Sequence, residues 1–370
     1  MKTDKKTIFL TGATGLVGSY LLKILLQNGH KVYTLARDKN NKSANERVFE
    51  VLKFWDQDIA DKYFKNCIVV NGDITQENLG LNKNINSLLK NQTEEIFHCA
   101  AITEFNKPME EIRKVNVYGT KNILDFSLEC KNLKKVNHIS TAYIFGDYKG
   151  VFKEDDLDVG QKFNTTYEQS KFEAEKLVVE YRNKGLWIDV FRPAIIVGES
   201  TTGKIISFNK AFYQGLRNWN LEIFDKYPGG KGYFFYISFV DDLCRAIFLI
   251  FSNTIIKNKT YHLFSSSSRL SFKKAMDWSS KFLGFKKPKI INKKDFLINN
   301  PVTSAQKIIL KYNFFFLNND IKLDSKNTEN LLKKYNFRFT KFTKKIFFNL
   351  LDYAVKTKFL NRLNNNHGCF

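Results

Sequence analysis

Along the first 192 residues, short apolar runs alternate with longer stretches in which apolar residues recur every three or four positions. Residues 7–11, 31–36, 67–71, 95–99, 135–140 and 188–192 are short, apolar and rich in β-branched or aromatic side chains, which predicts strands. Between the first two, residues 15–28 place Leu16, Leu21, Leu22, Leu25 and Leu26 on one helical face. Residues 109–130 and 167–184 read as helices in the same way. Strands alternating with helices require β-α-β crossovers and a parallel sheet covered on both faces. The expected fold class is therefore α/β, a Rossmann-type doubly wound parallel sheet.

After Pro193 the rhythm changes. Residues 203–219 and 239–251 read as helices, Pro228-Gly229-Gly230 as a turn, and residues 325–334 and 343–358 as amphipathic helices. An aromatic cluster, Phe314-Phe315-Phe316, stands among lysines. No repeat and no Pro-, Gly- or Ser-rich linker separates the two parts. The expectation is a Rossmann domain over residues 1–192 and a smaller, mostly helical C-terminal substrate lobe over 193–370, interleaved with the first rather than independent.

Composition narrows the class. With 370 residues, 43% hydrophobic and 26% charged, the chain reads as globular. Residues 1–6 are polar and 7–10 are too short for the apolar region of a signal peptide. The densest later run, 246–251, falls far short of a membrane span. Cys67, Cys99, Cys130, Cys244 and Cys369 show no Cys-x-x-Cys spacing, so neither a metal site nor a disulfide framework is expected, and a cytoplasmic setting is. The net charge is +22, of which the last hundred residues carry +15, with 21 Lys/Arg against 6 Asp/Glu. A lysine- and asparagine-rich solvated surface accounts for this. The sharper alternative is attraction for an acidic partner: a phosphorylated carrier, a CoA-type substrate or anionic lipid. No nucleic-acid-binding motif accompanies the charge.

Two constellations carry chemistry. Gly12-x-x-Gly15-x-x-Gly18 follows a predicted strand and opens a predicted helix. In that context glycines permit a tight turn and close approach of a pyrophosphate to backbone N–H groups at the positive helix end. About 150 residues later, Tyr167 and Lys171 stand four apart on a predicted helix and so share a face. A free phenol titrates near 10, and a neighbouring cation is expected to lower that value and ready Tyr167 for proton exchange. Together they point to a redox enzyme with a nucleotide cofactor. The second predicted strand ends Leu35-Ala36-Arg37-Asp38. Arg37 offers a planar fork for the 2′-phosphate of NADP, and Asp38 either binds a ribose or caps the next segment. NADPH is the expected cofactor, with NADH left open.

The glycine spacing resembles that of the extended short-chain dehydrogenase/reductase superfamily, and further stretches match it in order. Gly72-Asp73-Ile74 resembles the turn whose aspartate contacts adenine, and His98-Cys99-Ala100-Ala101 the small-residue turn beside the cofactor, with His98 structural. Asn116-Val117-x-Gly119-Thr120 resembles the helix segment whose asparagine supports the proton relay. Ser140-Thr141-Ala142-Tyr143-Ile144-Phe145-Gly146 resembles the stretch that supplies the catalytic hydroxyl, here Thr141 with Ser140 as the fallback; Phe145 replaces the usual tyrosine. Arg192-Pro193 resembles the turn beside the nicotinamide. The resemblance thus implies catalytic Tyr167, Lys171, Thr141 and Asn116. It implies a cofactor site at Gly12, Thr14, Gly15, Leu16, Val17, Gly18, Arg37, Asp73, Ile74, Ala100, Ala101, Lys171 and Pro193.

Within the superfamily, Gly72-Asp73-Ile74-Thr75-Gln76-Glu77-Asn78-Leu79-Gly80-Leu81, Phe97-His98-Cys99-Ala100-Ala101 and the residues around Tyr167 are similar to fatty acyl-CoA reductases and to thioester reductase domains. That branch implies NADPH-dependent reduction of an acyl thioester to an aldehyde, from acyl-CoA or from an acidic acyl carrier protein. Alternatives are a ketone or alcohol oxidoreductase, a sugar-nucleotide epimerase or dehydratase, and a non-catalytic or membrane-associated scaffold. Residues 343–358 bear on the last, and burial of an ordinary helix face is preferred there over a lipid surface. A homodimer is left open.

Overall fold

A computed structural model of the chain describes residues 4–105, 107–229, 233–253, 258–266, 269–291, 295–296, 303, 306 and 321–363. Gly230, Phe314-Phe315-Phe316 and Cys369 lie outside the described residues. The five N-terminal strands are β1 (Thr7–Thr11), β2 (Lys31–Ala36), β3 (Cys67–Asn71), β4 (Glu95–His98) and β5 (Lys135–Ile139). Further on come β6 (Gly150–Phe152), β7 (Ile188–Pro193), β8 (Ile195–Val197), β9 (Lys226–Pro228), β10 (Phe234–Phe239) and β11 (Thr260–Leu263). A seven-stranded sheet runs in the order β11-β7-β5-β4-β1-β2-β3, every pair parallel. The expected doubly wound sheet is present. Its strand order reverses between β1 and β4, so the crevice beyond Thr11 and His98 is the place where such sheets hold ligands.

Strands β4, β5 and β7 are buried along their whole length, as parallel strands between two helical layers must be. Their buried charges are paired: Lys135 with Asp189 at 2.9 Å, and Lys6 with Glu95 at 2.9 Å. Helix α1 (Leu16–Gln27) crosses from β1 to β2, and α2 (Ala44–Trp55) follows β2 behind a capping box made by Ser43 and Glu46. Then come α3 (Gln57–Tyr63), α4 (Lys83–Gln92), α5 (Met109–Arg113), α6 (Gly119–Leu128) and α7 (Thr166–Asn183). The helix expected over 109–130 is interrupted: residues Lys114–Tyr118 form a π-turn, with Asn116 in it.

Beyond Pro193 the structure departs from expectation at the first helix. The helix predicted from residue 203 begins only at Ala211, as α8 (Ala211–Asn220). Gly203 is in the left-handed region, φ +75°, and a Cβ there would collide with the Asn349 carbonyl, so the chain turns before it can coil. Residues of this half also build the main sheet. Its edge strand β11 pairs with β7, and α9 (Val240–Asn253) lies on α1 with Phe251 against Phe97. The remainder holds β12 (Arg269–Ser271), α10 (Phe272–Leu283), β13 (Lys289–Ile291), β14 (Ile321–Leu323), α11 (Lys326–Lys333) and α12 (Lys344–Lys356). Phe347, Leu350, Leu351 and Ala354 of α12 are fully buried, so its apolar face is turned into the protein. Among the described residues no helix is long and apolar enough to cross a membrane.

One buried ion pair fixes α7 to the sheet, and Glu154 beside it ties the halves together. Arg192 at the end of β7 grips Glu175 of α7 at 2.7 and 3.0 Å, with both side chains almost fully buried. The guanidinium also donates to the Glu154 carbonyl at 3.2 Å. The Glu154 carboxylate in turn accepts from the Asn327 and Thr328 N–H groups at the start of α11 and from the His262 N–H of β11. Removing one member of such a pair leaves the other charge buried and uncompensated. Arg192→Met is expected to lower unfolding free energy by about 3–5 kcal/mol in urea denaturation. A loss below about 1 kcal/mol, the range of surface pairs, would contradict this role.

Candidate active site

The crevice at the switch point is built on the turn after β1. Gly12 has φ +75°, and a Cβ there would lie 2.6 Å from the Ala100 nitrogen. A Cβ on Gly18 would collide with the Gly12 carbonyl. Glycine at both positions lets the turn pack on the end of β4 and leaves the N-terminus of α1 open to a ligand. The turn itself closes through the Gly15 N–H to the Gly12 carbonyl at 2.9 Å.

Two adjoining clefts meet here and share Gly15, Cys99 and Ala101. The outer one, about 320 Å³, is lined by Gly12, Thr14, Arg37, Asp73, Ile74 and Ala100 among others. The inner one, about 190 Å³, is lined by Leu16, Val17, Gly18, Thr141, Tyr167, Lys171 and Pro193. Of the catalytic and cofactor residues expected from the sequence, all but Asn116 therefore face one continuous cleft. Asn116 is fully buried behind it, exchanging hydrogen bonds with the Ile102 backbone at 2.8 and 3.0 Å and donating to Ser170 Oγ at 2.9 Å. The structure gives it a positioning contact next to Lys171 rather than a place in the cleft. His98 has both ring nitrogens hydrogen-bonded, to Thr11 and Thr120, as a structural histidine should.

The two candidate hydroxyls after β5 separate cleanly. Ser140 donates to Glu175 and so joins the buried ion pair. Thr141 instead lines the inner cleft with Tyr167, its Oγ1 accepting from the Tyr143 N–H at 3.2 Å and donating weakly to the Pro193 carbonyl at 3.5 Å. Lys171 donates to the Ile139 carbonyl at 2.9 Å. The charge states differ from the sequence-based expectation. Burial pushes the Tyr167 phenol up to about 12, only partly offset by Thr141, instead of lowering it. Burial acts in the opposite sense on Lys171, bringing its ammonium down to about 8, with Glu175 opposing.

At the outer end, Arg37 pairs with Asp73 at 3.0 Å. Burial raises the Asp73 carboxyl, but hydrogen bonds from the Thr75 N–H and Arg37 hold it below its ordinary value. Asp38 is occupied by the Ala44 N–H at 2.6 Å and Asn71 Nδ2 at 2.8 Å, which is the capping alternative. Several cleft residues escaped sequence reasoning. Arg47 lines the outer cleft beside Arg37 and donates to its carbonyl. The Ser43-x-x-Glu46 capping box could have marked the start of α2 and placed Arg47 on its first turns. Thr103, Phe105 and Lys210 line the inner cleft with no pattern in the sequence to announce them, and Tyr143, within the Ser140–Gly146 stretch, was given no role there.

A glycine-turn cleft at the sheet's switch point with a tyrosine and a lysine lining its inner end fits the extended short-chain dehydrogenases/reductases, a class of NAD(P)-dependent oxidoreductases. Residues 10–247 match the family model described as male sterility protein, an NAD-binding family, and the chain belongs to that family. It is 35% identical over 155 residues to fatty acyl-CoA reductase 1 of Rattus norvegicus, 40% of this chain and 30% of that protein. It is 32% identical over 203 residues to one component of the linear gramicidin synthase of Brevibacillus parabrevis, 52% of this chain and 4% of that protein. The chain thus spans less than a third of the length of these curated relatives. The terminal R domain from the myxalamid PKS-NRPS biosynthetic pathway superposes with a TM-score of 0.82 at 23% identity, over 96% of this chain and 92% of that one. A thiolation-reductase di-domain from an archaeal non-ribosomal peptide synthetase gives 0.80 at 22% identity, over 96% and 76%. At these identities the two structures establish a shared fold.

The depressed Lys171 ammonium is directly measurable. In side-chain NMR of labelled lysines, one resonance is expected to titrate near pH 8, ammonium below and amine above, and to vanish in Lys171→Met. Titration of that resonance at the ordinary lysine value of about 10.4 would contradict a dominant burial effect.

Proposed function

We propose that this chain is an NADPH-dependent reductase that converts an acyl thioester, carried on CoA or on a carrier protein, to the aldehyde and free thiol. The observation that carries the reading is that Thr141, Tyr167 and Lys171 line one inner cleft that adjoins the cleft at the Gly12 turn. The thioester follows from the relatives named as a fatty acyl-CoA reductase and as part of a gramicidin synthase. Bound in the cleft, a reduced nicotinamide supplies the hydride. Thr141 Oγ1 and the Tyr167 hydroxyl hold the carbonyl oxygen, and Tyr167 donates its proton there as charge builds on that oxygen. A phenol with its pKa raised to about 12 is protonated at neutral pH, the form that reduction requires. The Lys171 ammonium places positive charge behind it on the same helix face.

We divide the work between residues 1–192, which hold the cofactor and move the proton, and residues 193–370, which take the acyl group. Ile195, Ile196 and Ala211 of the second part wall the inner cleft and support this division. The charge of +22 suits an acidic carrier protein as the thioester donor. Assays of NADPH oxidation with acyl-CoA and acyl-carrier substrates test the reading. Turnover is expected, with Tyr167→Phe losing about 10²–10⁴-fold while still binding cofactor. Turnover only of a ketone or a sugar nucleotide would overturn it.

The cofactor choice rests on Arg37 and Arg47 side by side at the outer cleft and on Asp38 being held by Ala44 and Asn71. Two guanidinium groups suit a 2′-phosphate, and a capped aspartate is poorly placed to take a ribose hydroxyl. Replacing both arginines by alanine is expected to weaken NADPH binding about 10–100-fold and to leave NADH binding unchanged. Equal losses for both cofactors would argue against a 2′-phosphate site.

A further inference from the structure

Lys210 stands immediately before α8 and lines the inner cleft together with Tyr167 and Lys171. Its ammonium has three donors, and among the described residues it makes one hydrogen bond, to Thr103 Oγ1 at a long 3.3 Å. Among the described residues it makes no ion pair, whereas Arg37, Lys135 and Arg192 each hold a carboxylate. Glu104 acts on it only at longer range, and burial favours its neutral amine, so it gives up a proton more readily than a surface lysine. The neighbouring walls, Ile195, Ile196 and Ala211, are apolar.

Thioester reduction needs a proton at two places. The first goes to the carbonyl oxygen, from Tyr167. The second is needed when the hemithioacetal collapses. The C–S bond breaks, sulfur leaves with the electron pair, the C=O bond re-forms, and the hydroxyl proton returns to Tyr167. Apolar walls solvate a departing thiolate poorly. The titratable groups lining the inner cleft are Cys99, Tyr143, Tyr167, Lys171 and Lys210. Burial pushes the Cys99 thiol up to about 12 and raises Tyr143, so neither is a ready donor. Lys171 is engaged with the Ile139 carbonyl.

We propose that Lys210 is the acid for the leaving group, transferring an Nζ proton to sulfur as the C–S bond breaks. The amine then regains its proton from solvent. This rests on the thioester reading above, with the hydride coming from the reduced nicotinamide and the reduction completed before sulfur departs.

The test compares two thioesters of one acyl group, one with pantetheine and one with an aryl thiol of lower pKa, which leaves without help. Lys210→Met is expected to slow the pantetheine thioester about a hundredfold and to leave the aryl thioester near wild type, which also shows that the variant folds. Lys210→Arg should behave like Lys210→Met, because a guanidinium keeps its charge but does not release a proton. Free pantetheine provides a second readout that needs no turnover. Its thiolate absorbance should appear at lower pH when bound to wild type than when bound to Lys210→Met. Equal losses on both thioesters, or full rescue by arginine, would overturn the assignment while leaving the thioester reading intact. Failure of the wild type to reduce either ester would overturn that reading and this one with it.

Discussion

The Glu175–Arg192 pair is the constraint on which the cleft depends. Tyr167, Lys171 and Glu175 lie four residues apart along one stripe of α7, so fixing the third fixes the first two. Glu175 is held by Arg192 from β7 and by Ser140 from the end of β5, which sets both the height and the rotation of α7 over the sheet. Lys171 then meets the Ile139 carbonyl and Tyr167 lines the inner cleft with Thr141. The same guanidinium reaches the Glu154 carbonyl, and the Glu154 carboxylate gathers the start of α11 and the backbone of β11. A charge pair this deep is costly to desolvate and worse to break. Its use here is geometric: it makes the position of the phenol a property of the core rather than of a surface helix.

Burial, more than any single neighbour, sets the charge in the cleft. It raises the phenol and lowers both lysines, moving all three toward their neutral forms. For Tyr167 that keeps the proton in place until a carbonyl oxygen calls for it. For the two lysines it makes the proton easier to release. The lysines nonetheless differ in setting: Lys171 is tied to the sheet through Ile139, whereas Lys210 reaches in from the lobe on a long hydrogen bond to Thr103. In the proposed thioester reduction, Tyr167 and Lys210 are the donors to oxygen and to sulfur within this one cleft.

Much of this was legible in the sequence, for identifiable reasons. Strands β1 and β2 have the bounds their apolar runs predict, because strands buried between two helical layers tolerate little else. The glycine turn and the Tyr167–Lys171 spacing are local patterns, and both face the cleft. What depends on distant parts of the chain was hidden. Strand β11 is four residues of mixed polarity, Thr260 to Leu263, and only its pairing with β7 makes it part of the main sheet. Gly203 turns the chain at φ +75°, packed so closely on the Asn349 carbonyl, nearly 150 residues away, that no Cβ fits there. Asn116 fits the expected motif yet turns its side chain to Ile102 and Ser170, and Lys210 enters the cleft with no motif at all. The direction of the Tyr167 shift was also out of reach, because a sequence shows the neighbouring cation but not the depth of burial.

The central claim is hydride transfer to the carbonyl carbon of an acyl thioester with Tyr167 as the proton donor. It is tested most directly by following a label from NADPH carrying deuterium at the transferable position of the nicotinamide. Mass spectrometry of the product should find one deuterium on the aldehyde carbon, accompanied by one equivalent of free thiol, and neither in Tyr167→Phe. Deuterium delivered to a ketone or sugar-nucleotide carbon, with the thioester recovered unlabelled and intact, would contradict the account.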